Sequence, residues 1–113
     1  MACTVWCNPP YSDLPTWVAR AWQECQANQN TVVMLIPAYT DPKYWSEIII
    51  AHADEVRFLK GRVSFLENGL KKTSARFPSA VVVFRYRAGV QQKQAHCWWW
   101  DLRAEMRAKA KAA

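Results

Sequence analysis

Glycine is scarce in this chain, three residues in 113, and the three stand apart at Gly61, Gly69 and Gly89. That excludes a glycine-rich loop wrapped around a phosphate or dinucleotide, because such loops need several residues able to take left-handed or crowded backbone conformations. Histidine is scarcer still. His52 falls on an expected helix face, and His96 beside Cys97 makes no catalytic pair by adjacency alone. The four cysteines, Cys3, Cys7, Cys25 and Cys97, lack the paired cadence of a zinc site, since no second close pair follows Cys3 and Cys7. They read as reduced structural thiols, and no metal is expected. No stretch approaches the roughly twenty apolar residues needed to span a bilayer. Nor does a basic segment lead into an apolar one at the N-terminus, so a cytoplasmic protein is expected.

What is present suits a folded domain. About half of the residues are apolar and the charged fraction is ordinary, so a single modest core is expected. The formal net charge of +6 suits a nucleic-acid partner and is equally common in chains that bind none.

Along the chain, Thr4 to Cys7 reads as a short buried strand. Ser12 or Asp13 can cap a helix in which Pro15 comes early, and Leu14, Trp17, Val18, Ala21, Trp22 and Cys25 recur at helical spacing to about Ala27. Thr31 to Ala38 is an unbroken apolar run, the pattern of a strand covered on both faces. Asp41-Pro42 opens a second helix with Trp45, Ile48 and Ile49 inward, followed by a strand region on either side of Gly61. Glu67 to Arg76 reads as a basic loop, and Phe77 to Tyr86 as a closing strand. From residue 91 the composition changes: Trp98-Trp99-Trp100 runs into an alanine-rich basic stretch, and a Trp-rich basic helix is expected over 91–113, after an α/β domain over 1–90.

Chemistry is suggested at one place, Asn8-Pro9-Pro10-Tyr11, directly after the first strand. The prolines fix φ and remove two backbone donors, which leaves the Asn8 carboxamide oxygen and the Pro9 carbonyl to accept from one amino group. Tyr11 offers a ring on which an extruded base can stack. Enzymes that methylate exocyclic amino groups hold the target nitrogen with this arrangement.

Together with Thr31 to Ala38, Phe58 to Phe65 and Phe77 to Arg85, this order of segments resembles the phage-type DNA N-6-adenine methyltransferase family over about residues 4 to 87. The resemblance implies a partial Rossmann-like methyltransferase fold: a mixed sheet of about four strands, flanking helices and a C-terminal helix. It also implies S-adenosylmethionine as cofactor, DNA as partner, a bacterial or phage-infected cell as setting, and catalytic roles for Asn8, Pro9, Pro10 and Tyr11. Family members carry three strands and the cofactor loop upstream of the tetrapeptide, whereas seven residues precede Asn8 here. The expectation is therefore a C-terminal half, inactive until completed, for which no cofactor-binding residue can be named.

Further candidates follow from position. Phe77 brings a second ring to the base or packs beneath the loop, and Thr40 and Asp41 meet a ligand or begin a helix. Lys60, Arg62, Lys71, Lys72 and Arg76 track phosphates or form a solvated loop. Three adjacent tryptophans on a helix cover about 200° of arc, more than one buried face can hide, so Trp98, Trp99 and Trp100 are expected at an interface or on bases. With Val5 they are the expected contact for a second copy or a protein partner, or they fold back over the first strand's open edge. Three functional classes remain: one half of an enzyme, a DNA-binding module using the basic loop, or a catalytically inactive phage protein that inhibits a host defence complex by binding it.

Overall fold

The computed structural model describes residues 3–62, 64–67, 70–74, 77–86 and 94–112. Strand β1 (Thr4–Cys7) leads through a 3-10 turn (Tyr11–Asp13) into α1 (Leu14–Asn28) and back along β2 (Thr31–Pro37). A π turn (Trp45–Ile49) runs into the short α2 (Ile50–His52), followed by β3 (Glu55–Leu59), β4 (Ser64–Glu67), β5 (Leu70–Ser74), β6 (Ser79–Phe84), β7 (His96–Trp100) and α3 (Leu102–Ala112). Five strands form one mixed sheet in the order β1-β2-β6-β3-β7. β6 is antiparallel to both its neighbours, and the other pairs are parallel. The expected α/β fold with a mixed sheet and a C-terminal helix is thus present, with five strands rather than about four.

The first helix forms as its spacing predicts. Pro15 sits in its first turn, where a missing donor is harmless, and Leu14, Val18, Ala21 and Cys25 are buried. It ends at Gln29, whose φ of 57° turns the chain out of the helix. The next residue, the buried Asn30, clamps the turn: its Oδ1 accepts the Cys3 N–H at 2.9 Å and its Nδ2 donates to Glu24 at 3.0 Å. β1 is thereby fastened to the α1–β2 corner as well as to β2.

Both connecting helical segments lie on one face of the sheet, where Val32, Met34, Ile36, Val56, Val82 and Phe84 meet Val18, Cys25, Trp45 and Ile49. The opposite face keeps Thr31, Val33, Leu35 and Val81 half-buried. β2 is therefore not covered on both faces as its unbroken apolar run predicts. Nor is β1 buried: Thr4, Val5 and Trp6 are exposed, because among the described residues β1 pairs only with β2 and ends the sheet.

Two further expectations are corrected. Trp98, Trp99 and Trp100 are not helical; they form β7, parallel to β3, and the helix starts only at Leu102. The two-residue period of a strand, which suits aromatic side chains, resolves the crowding that a helix could not. Trp98 and Trp100 flank the Arg57 guanidinium at 4.8 and 4.7 Å, while Trp99 turns to the other face and is 69% exposed. This segment cannot cover the edge of β1, since it closes the opposite edge of the sheet. The expected basic loop is also partly strand: β4 and β5 pair as an antiparallel hairpin. No helix among the described residues is long and apolar enough to cross a membrane.

Candidate active site

Strand direction decides what gathers at one edge. β1, β2, β3 and β7 all end on the same side of the sheet, and the antiparallel β6 begins there. Open α/β sheets bind ligands along this carboxyl edge. Asn8-Pro9-Pro10-Tyr11, the Ala38-Tyr39 segment and Phe77-Pro78 all lie on it, joined by a hydrogen bond from the Ala38 N–H to the Pro78 carbonyl at 2.8 Å.

Pro9 is buried and anchors the turn, whereas Pro10 is exposed and extended at φ −62°, ψ 138°, as its ring requires. Asn8 is left exposed at the end of β1. The 3-10 turn folds Tyr11 back so that its hydroxyl donates to Asn8 Oδ1 at 3.4 Å. Burial pushes the Tyr11 phenol above its ordinary pKa, so it remains a neutral donor. The Tyr11 and Phe77 rings meet edge to face with centroids 5.1 Å apart, and Tyr39 continues the row at 6.0 Å from Phe77. The structure therefore brings Asn8, Pro9, Tyr11 and Phe77 together from separate segments. It adds Tyr39, which is 52% exposed and which the sequence reading passed over. The signal for Tyr39 was available: an aromatic residue two places beyond the end of a strand that leads to the carboxyl edge.

The basic candidates sit farther along the same edge. Lys60 and Arg62 follow β3, three strand spacings from β1, or about 14 Å. Lys60 pairs with Asp101 at 3.4 Å, and the Arg62 carbonyl accepts from Arg103 at 2.9 Å, a second cation that the sequence reading did not single out. Asp101 also caps α3, accepting the Ala104 N–H at 3.0 Å. That bond, then the nearby Lys60, holds the Asp101 carboxyl below its usual range. Lys71 and Lys72 fall on β5, and Arg76 lies outside the described residues. Of the expected interface residues, Val5 flanks the open edge of β1, and the three tryptophans lie across the sheet on β7.

The DNA N-6-adenine-methyltransferase (Dam) family model matches residues 2–103, nearly the whole chain. This chain belongs to the Dam family. A curated Dam-family relative, the DNA N-6-adenine-methyltransferase of Haemophilus phage HP1 (strain HP1c1), is 30% identical over 86 residues, which cover 74% of this chain and 49% of the relative. The chain thus spans about half the length of the curated relative it matches. No solved structure gives a match. A Dam-family methyltransferase implies use of S-adenosylmethionine, and the residues at the carboxyl edge can be tested against that cofactor. Its nucleotide and methionine parts need a turn of close-approaching main-chain amides and an acid for the ribose. The one described glycine, Gly61, turns the chain between β3 and β4 at φ 79°, beside Arg103 and well away from Asn8. Around Asn8 the described residues are acceptors and aromatic rings, which fit a planar amine and not the cofactor as a whole.

Proposed function

We propose that this chain carries the target-base half of adenine N-6 methylation in DNA. The observation that supports it is the convergence of Asn8, Tyr11 and Phe77 at one edge of the sheet. Asn8 Oδ1 and the Pro9 carbonyl accept the two hydrogens of the adenine amino group, which aims the nitrogen lone pair outward and holds it there. Tyr11 and Phe77 supply apolar ring surface for a base extruded from the duplex. The Tyr11 hydroxyl occupies Asn8 Oδ1 until the amine displaces it. No step is assigned to the methyl donor, whose pocket the described residues do not build. The isolated chain accordingly binds S-adenosylmethionine weakly.

A duplex carrying 2-aminopurine at a mismatched position tests the base site without knowledge of a recognition sequence. The expected result is a fluorescence change on adding the chain that Tyr11→Ala and Phe77→Ala abolish, with Asn8→Ala weakening the response. No change in the parent at saturating protein would overturn the base-binding role. Titration calorimetry with S-adenosylmethionine checks the other half of the reading. Clear saturation at micromolar cofactor would show that the chain builds a cofactor site after all.

A further inference from the structure

At the part of the carboxyl edge farthest from β1, cations gather round the Asp101 carboxylate. The Lys60 N–H donates to the Trp100 carbonyl at 3.0 Å, so the pairing of β3 with β7 continues one step past the strands and sets Lys60 beside Asp101. Their side chains meet at 3.4 Å. Gly61, at φ 79°, then turns the chain, and the Arg62 carbonyl accepts from the Arg103 guanidinium at 2.9 Å. Arg107 follows Arg103 by four residues on the same side of α3 and is close enough to act on the Asp101 carboxyl. Glu105 stands two residues from each arginine, on the other side of the helix. Lys60, Arg103 and Arg107 are all exposed, and the Asp101 carboxylate they share is already engaged by the Ala104 N–H.

The geometry points to a phosphate-binding surface: Lys60, Arg103 and Arg107 hold the backbone of the same DNA duplex whose target base is taken at Asn8. Three cations held around one carboxylate repel one another, and an anion joining them relieves that repulsion. The site is arranged beforehand. The bond to the Arg62 carbonyl fixes the Arg103 guanidinium and leaves its other N–H groups for phosphate oxygens, so less side-chain freedom is lost on binding. Position agrees with charge. The end of β3 lies about 14 Å from β1 along the edge and the end of β7 one strand spacing farther, about 19 Å. A duplex laid along the edge runs its backbone past both places, at about four to six base pairs from the target for a rise of about 3.4 Å each. Contacts of this kind set the register and orientation of the duplex and read no sequence. The inference rests on DNA as the partner in the reading above, but not on the base site itself.

The test uses the full chain and two probes: a fluorescein-labelled matched duplex, read by anisotropy over a series of salt concentrations, and the mismatched 2-aminopurine duplex. On the matched duplex, Arg103→Ala with Arg107→Ala should flatten the salt dependence of affinity by about two ions. Arg107→Ala alone should flatten it by about one; it leaves the Arg103 bond to Arg62 in place, so it decides the matter even if Arg103→Ala loosens α3. Asp101→Asn keeps a cap for α3 and removes the acid, so affinity at low salt should rise about threefold, as one unit charge about 6 Å from a phosphate implies at the dielectric of water. Arg20→Ala, which removes a cation from α1, should leave the slope unchanged. On the 2-aminopurine duplex the double variant should need more protein to reach half-saturation and give the same fluorescence change at saturation. Equal slopes in parent and double variant would overturn the surface, as would an equal loss in Arg20→Ala or no tightening in Asp101→Asn. A parent that binds no matched duplex at low salt, or a 2-aminopurine midpoint that ignores the double variant, would overturn it too. A parent that gives no 2-aminopurine signal while the charge variants behave as expected on the matched duplex would support the phosphate surface and overturn the base site alone.

Discussion

Replacing Asn30 by alanine removes the clamp that fastens β1, and with it the strand that carries Asn8. Two hydrogen bonds are lost, one from the Cys3 main chain at 2.9 Å and one to the Glu24 carboxylate at 3.0 Å. A neutral bond contributes about 1 kcal/mol net and one to a charged group about 1.5–3 kcal/mol. Cys3 is exposed and Glu24 half-buried, so water repairs part of the loss, and we expect a destabilisation of about 2 kcal/mol. For a domain of this length that lowers the melting temperature by about 8 °C. Asn28→Ala is the matched control: it removes a bond of 2.8 Å to the same carboxylate, but at an exposed site, and should cost under about 0.5 kcal/mol. Asn30→Asp adds a second check, because it keeps the acceptor for Cys3 while setting a carboxylate against Glu24. The two carboxylates repel while both are charged, so the deficit should be full at neutral pH and shrink as pH falls into the carboxylate range. Thermal unfolding followed by circular dichroism measures all three variants. An Asn30→Ala protein that melts with Asn28→Ala would refute the clamp.

If the hairpin contacts phosphates, the affinity for a duplex should fall steeply with salt, and Lys71→Ala with Lys72→Ala should flatten the slope by about two ions; equal slopes in parent and variant would leave these charges to solubility. Asp101→Ala should fray α3 and reduce helical circular dichroism with the sheet retained, whereas unchanged helicity would show that the cap on Ala104 holds nothing. Because the folded Asp101 carboxyl is held below its ordinary value, its contribution is present above the unfolded pKa and lost as pH falls through the folded one. The helical signal should therefore drop in acid for the parent, and the drop should be absent in Asp101→Asn.

The elements with strong periodicity were legible in the sequence and the sidedness of the sheet was not. Leu14, Val18, Ala21 and Cys25 announced α1, and the uninterrupted runs announced β2 and β6, because one helix and one strand pattern dominate each. The same runs misstated the surroundings. Val33 and Leu35 are as apolar as Met34 and Ile36, yet they sit on the face that the described helices leave open. Apolarity within a strand says that a face can be covered, not which segment covers it. The tryptophans went astray for a related reason: the alanine-rich stretch that follows them carries helix propensity, and extending it backward ignored the preference of three aromatics for a strand.

The site divides along the same line. Asn8-Pro9-Pro10-Tyr11 could be read because the prolines confine it to one local geometry, which the structure keeps at Pro10. Phe77 could only be guessed, since its meeting with Tyr11 depends on β6 starting at the edge where β1 ends, a fact of topology. Tyr39 needed both topology and the contact with Phe77 before it stood out. The edge of β1 lies between these cases. Its exposure follows from pairing, among the described residues, with one neighbour only, but the alternation that sends Thr4 and Trp6 outward is implicit in any strand beginning at that register. The short sequence from Cys3 to Cys7 thus does two things at once. Its inward residues hold the strand to β2 and, through Cys3 and Asn30, to the α1–β2 corner, and its end sets the place from which Asn8 projects.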